Sequence, residues 1–127
     1  MLTLRVIIAE DERLIAEMFR QTVTDLGYCV VAVTATYRST IDAVNRYEPD
    51  VVFLDISMDY PEAGLDACRY IKKVRPDIRV YFLTAYSDKD LGLTSTKVPY
   101  DGFIEKLDFE FKVSDVLKEL KQVKEST

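Results

Sequence analysis

Four short apolar runs of this chain end abruptly in residues that carry chemistry. Leu4-Arg5-Val6-Ile7-Ile8-Ala9 is followed by Glu10 and Asp11, and Val51-Val52-Phe53-Leu54 by Asp55. Val80-Tyr81-Phe82-Leu83 leads to Thr84, and Gly102-Phe103-Ile104-Glu105 to Lys106. Runs of this length read as buried strands, and apolar residues at helical spacing lie between them. Strands alternating with helices build a mostly parallel sheet, joined by right-handed crossovers. Such a sheet presents its carboxyl ends along one edge, where ligands bind. The chain is thus predicted to deliver three acids, a hydroxyl and an ammonium to one crevice.

The first strand is Leu4–Ala9, and a helix follows from about Glu12 with Leu14, Ile15, Met18, Phe19, Val23 and Leu26 on one face. Gly27 stops it, and Tyr28–Val33 is the second strand. Ser39 and Asp42 form an S-x-x-D pattern that starts the second helix, which Pro49 ends. Asp50–Asp55 is the third strand, Leu65–Val74 the third helix, Ile78–Thr84 the fourth strand and Gly102–Glu105 the fifth. Val113, Val116, Leu117, Leu120 and Val123 mark the last helix. Between the last two strands, Asp88–Lys97 contains Gly92, Thr94, Ser95 and Thr96, so a short or mobile helix is expected. No linker or repeat divides the chain. Residues 1–127 therefore read as one doubly wound α/β domain of five parallel strands with helices on both faces. About 4–122 form its core and 123–127 a polar tail. Periodicity leaves the strand order open, although first and third strands flanking the switch point would bring Glu10, Asp11 and Asp55 together.

Composition removes several classes of function. A net charge of −5 argues against direct nucleic-acid binding, and the cluster Arg69, Lys72, Lys73 and Arg75 reads as a solvated helix face. No apolar run is long enough to cross a bilayer and no signal peptide opens the chain, so a cytoplasmic protein without a membrane partner is expected. Cys29 and Cys68 lack metal-ligand spacing and read as small core residues. The chain has no histidine, which excludes Ser-His and Cys-His nucleophiles and histidine-ligated metals. Any phosphohistidine chemistry must take its histidine from a partner.

Three carboxylates in one crevice repel one another, and a hard divalent cation relieves them. Magnesium takes oxygen ligands, typically one or two carboxylates with waters and phosphate oxygens. Asp11 and Asp55 suit it directly, Glu10 through a coordinated water, and the Ser57 backbone carbonyl as a further oxygen. A carboxylate can also accept a phosphoryl group. Asp55 is the central acceptor, with Lys106 and Thr84 to contact phosphoryl oxygens.

The set Glu10-Asp11, Asp55, Thr84-Ala85 and Gly102-Phe103-Ile104-Glu105-Lys106 resembles the receiver domain of bacterial two-component response regulators, of the chemotaxis-regulator kind. The resemblance covers nearly the whole chain and implies a flavodoxin-like sheet of order 2-1-3-4-5. It implies that Asp55 takes a phosphoryl group, with Mg2+ bound, from a phosphohistidine on a sensor histidine kinase or histidine phosphotransfer protein. The domain would also lose that group to water by self-catalysis, without being a turnover enzyme on a separate substrate. Thr84 and Phe103 would be the coupled switch pair, and Tyr86 and Ser57 would tune the phosphoryl lifetime. The surface of the fourth helix, fifth strand and fifth helix would pass the signal to an output domain or downstream protein, and homodimerisation on phosphorylation is compatible with it. Two features depart from the family. Leu107 stands where a proline usually follows the lysine, so a trans bond is expected, a cis one costing roughly 3 kcal/mol. The loop Ile56–Gly64 is one residue longer than usual.

Other readings compete. A haloacid-dehalogenase-type phosphatase would place a second aspartate where Ser57 stands. A flavin- or nucleotide-binding module would want a glycine- or hydroxyl-rich loop where Glu10-Asp11-Glu12 stands. A receiver-like protein-binding module acting without phosphorylation usually has a broken acidic set, and here the set is intact. Ser57, Asp59 and Tyr86 can equally be ordinary polar loop residues.

Overall fold

The computed structural model describes residues 3–85 and 98–126. Strands β1 (Arg5–Ala9), β2 (Cys29–Thr34), β3 (Val51–Asp55), β4 (Arg79–Thr84) and β5 (Gly102–Glu105) form one sheet in the order β2-β1-β3-β4-β5. Every neighbouring pair is parallel. This is the flavodoxin-like order, with β1 and β3 adjacent at its centre. Helices α1 (Arg13–Asp25), α2 (Tyr37–Tyr47) and α3 (Ala63–Val74) fill the crossovers, and a C-terminal helix spans Phe109–Ser126.

Period-2 alternation in the strands divides the core into two layers. Ile7, Val52, Leu54, Val80 and Phe82 pack with Ile41 and Val44 of α2 and Leu65, Cys68 and Ile71 of α3. Val6, Ile8, Val51, Phe53 and Leu83 point the other way, onto Phe19 and Val23 of α1 and Phe109, Val113 and Leu117 of the C-terminal helix. Phe109 locks that second layer: its ring stacks on Phe19 at 4.0 Å and meets Phe53 edge-on at 5.5 Å. All five residues of β3 are buried because strands flank it and helices cover both faces.

Several expectations are corrected. Helix α2 starts at Tyr37, because Thr36 is its N-cap and Ser39 is the N3 partner in a reciprocal capping box, not the cap itself. Helix α3 begins at Ala63, two residues early, and Gly64 lies inside it. The last helix follows a 3-10 turn at Lys106–Asp108 and absorbs the expected polar tail up to Ser126. Lys124 Nζ there donates to Asp50 Oδ2 at 3.0 Å and to Thr3 O at 3.1 Å. Cys29 is exposed on the edge strand β2, whereas Cys68 is buried, and burial pushes its thiol up to about 12. Lys72 is not solvated: it pairs with Asp101 at 2.6 Å and donates to Ile78 O at 2.6 Å. On α1, Phe19 and Val23 are buried but Leu14, Met18 and Leu26 are exposed, since the apolar stripe is wider than its contact.

No peptide bond among the described residues is cis, so the bond before Leu107 is trans as expected. Gly27 terminates α1 with φ +93°. The helix expected over Asp88–Lys97 lies outside the described residues.

Candidate functional site

The carboxyl ends of the strands do converge. Glu10, directly after β1, is 1% exposed, and its N–H donates to Thr34 O at the end of β2 at 2.9 Å. Its Oε2 accepts the Glu12 N–H at 3.0 Å, which turns the chain into α1 and leaves Asp11 exposed at the rim. Asp55 closes β3, and Thr84 closes the adjacent β4; both are buried. Lys106 follows β5 and reaches back across the sheet edge. Its Nζ lies 2.6 Å from Glu10 Oε1 and 3.2 Å from Asp55 Oδ2.

Asp11, Glu12, Asp55, Ser57, Thr84, Ala85 and Lys106 line one cavity. One carboxylate oxygen from each of Glu10, Asp11 and Asp55 lies within 4.8 Å of the other two. Burial pushes the Asp55 carboxyl up to about 8, the Glu10 charge adds to this, and Lys106 pulls it partly back. Burial works against the Lys106 ammonium, but its hydrogen bond to Glu10 and the charges of Asp55 and Glu10 outweigh this, so its pKa is raised.

Among the described residues, Glu10 Oε1 is shut off from water and meets the Lys106 ammonium at 2.6 Å, with no other hydrogen-bond partner. Buried carboxylate oxygens normally find partners. Three converging acids and an oxygen with spare acceptor capacity are what a hard, oxygen-seeking divalent cation fits. Glu10, Asp11 and Asp55 could hold one.

Phe103 is half-buried against the layer of α2 and α3. It pairs with Phe82 while Thr84 pairs with Glu105, so Thr84 and Phe103 share one face of adjacent strands. Ser57 is exposed at the cavity wall. Tyr86 lies outside the described residues. Sequence reasoning missed the buried hydroxyls behind the pocket and left Asp59 open as a loop residue. Thr34 and Thr40 are both buried with their hydroxyl oxygens 2.8 Å apart, and Asp59 accepts the Tyr37 N–H at 2.8 Å. The one signal was the density of hydroxyl residues over Thr34–Thr40, which no spacing rule interprets.

Residues 6–121 match the family model of the response regulator receiver domain. Over 89 residues the chain is 33% identical to the transcriptional regulatory protein PdtaR of Mycobacterium tuberculosis, covering 68% of this chain and 42% of PdtaR. Over 96 residues it is 28% identical to the luminescence regulatory protein LuxO of Vibrio campbellii, covering 75% of this chain and 20% of LuxO. Among solved structures, the REC domain of AraT, a response regulator from Geobacillus stearothermophilus, superposes with a TM-score of 0.80 at 22% identity. That match covers 97% of this chain and 99% of the other, and it bears on the fold. The chain thus spans less than half the length of either curated relative described here.

Proposed function

The chain belongs to the response regulator receiver domain family, and on that footing we propose that it accepts a phosphoryl group on Asp55 from a phosphohistidine of a sensor histidine kinase or histidine phosphotransfer protein. The observation that carries this reading is the meeting of Asp11, Asp55, Thr84 and Lys106 around one cavity at the sheet edge, with the buried Glu10 carboxylate against Lys106 and the other two acids. A magnesium ion held by Asp11 and Asp55, by Glu10 through water and by the Ser57 carbonyl would supply charge neutralisation to the phosphoryl group. The chain's own residues do the rest. An Asp55 oxygen forms the new O–P bond as the P–N bond of the phosphohistidine breaks, and the imidazole leaves on the partner. This chain itself has no histidine to serve as that donor.

Lys106 holds the acids together before transfer and then contacts a phosphoryl oxygen, a point charge where phosphoryl transfer needs one. Thr84 donates its hydroxyl to another. That inward step vacates space for Phe103, on the same face of the next strand. Two packings of this pair are then biased by phosphorylation. The change is read by an output domain or downstream protein on the surface that includes β5 and the C-terminal helix. Self-catalysed loss to water resets the domain, which acts on no separate substrate. Such a partner set places it in the cytoplasm.

Donor access is supported at the pocket's rim. Leu107 is 92% exposed and lines a hollow with Met18, Phe19 and Lys106, and Leu14 stands one turn before Met18 on α1, 82% exposed. Exposed apolar groups of this size beside a charged site suit a partner that docks there.

Incubation with acetyl phosphate, read as intact-protein mass, tests the proposal. A single labile phosphoryl adduct that needs magnesium and is absent from Asp55→Asn supports it. No adduct on a folded, magnesium-binding protein, from either acetyl phosphate or a phosphohistidine protein, would leave a binding module that works without phosphorylation.

A further inference from the structure

The loop between β3 and α3 forms one wall of the acid pocket. It is folded back onto α3: Met58 is buried in the core, the Met58 and Ala63 N–H groups both donate to Tyr60 O at 3.2 Å, and Gly64 N–H donates to Ile56 O at 2.7 Å. The Tyr60 hydroxyl donates to Asp66 Oδ2 of α3 at 2.8 Å. None of these contacts fixes the loop relative to the opposite wall, where Glu10 stands. Asp59 does so. Its Oδ1 accepts the N–H of Tyr37, the first residue of α2, at 2.8 Å, and the Tyr37 and Tyr60 rings meet beside it at 6.3 Å.

The start of α2 is a firm anchor because it is bonded in turn to the Glu10 wall. Thr40, fully buried, donates its hydroxyl to Thr36 O at 2.7 Å and meets the Thr34 hydroxyl at 2.8 Å. Thr34 O accepts the Glu10 N–H at 2.9 Å. A belt of bonds therefore runs from Glu10 through Thr34, Thr40 and the Thr36-Tyr37 corner to Asp59, and along the loop back to Ser57 and Asp55. A hard cation of magnesium's size demands near-ideal oxygen geometry, so a wall that drifts loses affinity.

We propose that Asp59 is a positioning residue: by capping α2 at the Tyr37 N–H, it holds the Ser57 wall in place and sets the pocket's affinity for a divalent cation. This rests on the metal-binding reading above. A carboxylate on a helix's first N–H is a charge-assisted bond, and losing one is expected to weaken magnesium about five- to tenfold.

The test is calorimetric magnesium titration of the whole chain, with far-UV circular dichroism to verify folding. Asp59→Asn keeps an acceptor oxygen and removes the charge. Tyr37→Pro removes the donor and, with Tyr37→Ala as the control for the lost ring, suits the first helical position. Thr36 before it is already extended at φ −133° and ψ 163°, as a residue preceding proline must be. Asp59→Ala and Tyr37→Pro should each weaken binding about five- to tenfold, with the double variant no worse than either. Asp59→Asn, which keeps a weaker neutral bond, should fall between the parent and Asp59→Ala, and Tyr37→Ala should stay within about twofold of the parent. Unchanged affinity in Asp59→Ala overturns the proposal, and so does equal weakening by Ala and Asn, which would make the effect one of charge alone. A parent protein with no magnesium binding that Asp55→Asn abolishes sinks the metal reading itself, before any Asp59 variant is compared.

Discussion

Replacing Gly64 with alanine drives a methyl group into the backbone that carries Asp55. A Cβ at Gly64 would lie 2.0 Å from the Asp55 carbonyl oxygen and 2.7 Å from the Ile56 Cα, where real contacts essentially never fall below 3.0 Å. Both obstacles are backbone, so no side chain can swing away, and the start of α3 must back off by about 1 Å or more. Overpacking of this kind costs about 1–3 kcal/mol. The Gly64 N–H bond to Ile56 O, now 2.7 Å, stretches with it at about 1 kcal/mol more. Together these predict a loss of about 2–4 kcal/mol, or roughly 8–15 °C in Tm for a domain of this size. Gly27→Ala is the contrasting case. Nothing lies within 4 Å of its Cβ, but φ is +93°, so it should cost about 1–2 kcal/mol for conformation alone. Since Gly64 bears on Asp55 itself, its variant should also weaken magnesium binding, whereas Gly27→Ala should not. Thermal unfolding and a magnesium titration decide it. A Gly64→Ala protein melting within about 2 °C of the parent and binding magnesium equally would refute the close-approach reasoning.

With Asp55 pushed up to about 8 in the metal-free protein, magnesium must displace its proton, so apparent affinity should fall about fiftyfold from pH 8 to pH 6. By the same sign, the metal-free fold binds a proton that the unfolded chain has released. Its stability should therefore fall as pH rises from about 4 towards 8 unless magnesium is present; denaturant stability flat across that range without magnesium contradicts this. Phe109→Ala should cost about 3–5 kcal/mol in denaturant unfolding, because its ring is fully buried between Phe19 and Phe53. Leu107→Ser should slow phosphotransfer from a phosphohistidine protein while leaving acetyl phosphate labelling unchanged, since Leu107 is exposed at the rim and is not among the residues lining the acid cavity. Equal slowing with both donors would remove Leu107 from docking.

Much of the site was legible because each strand announces its own end. Val51–Leu54 has no polar residue until Asp55, Val6–Ala9 has none before Glu10, and Val80–Leu83 carries only the Tyr81 hydroxyl before Thr84, so these residues fall at the sheet edge without any knowledge of pairing. What the pattern does not encode is reach. Lys106 was placed by strand position, but its choice of Glu10 as the nearer partner depends on its reaching past β3 and β4, which separate β5 from β1 in the folded sheet. Capping shows the same limit. Ser39 and Asp42 made a plausible local signal, yet Thr36 wins because Ser39 can return a bond to its backbone three residues back. Lys72 reads as solvated on its own helix and becomes buried only because Asp101, distant in sequence, comes to it. Periodicity likewise overstated α1, where Leu14 and Met18 continue the apolar stripe past the edge of the sheet.

The account stands or falls on where the phosphoryl group goes. An acyl phosphate on aspartate is reduced by borohydride to homoserine, which marks the acceptor permanently and can be located by peptide mass spectrometry. After exposure to acetyl phosphate and magnesium, homoserine is predicted at position 55 alone, and nowhere when magnesium is withheld. Homoserine at Asp11 or another acid, or a stable phosphate on Ser57 with residue 55 still aspartate, would contradict it.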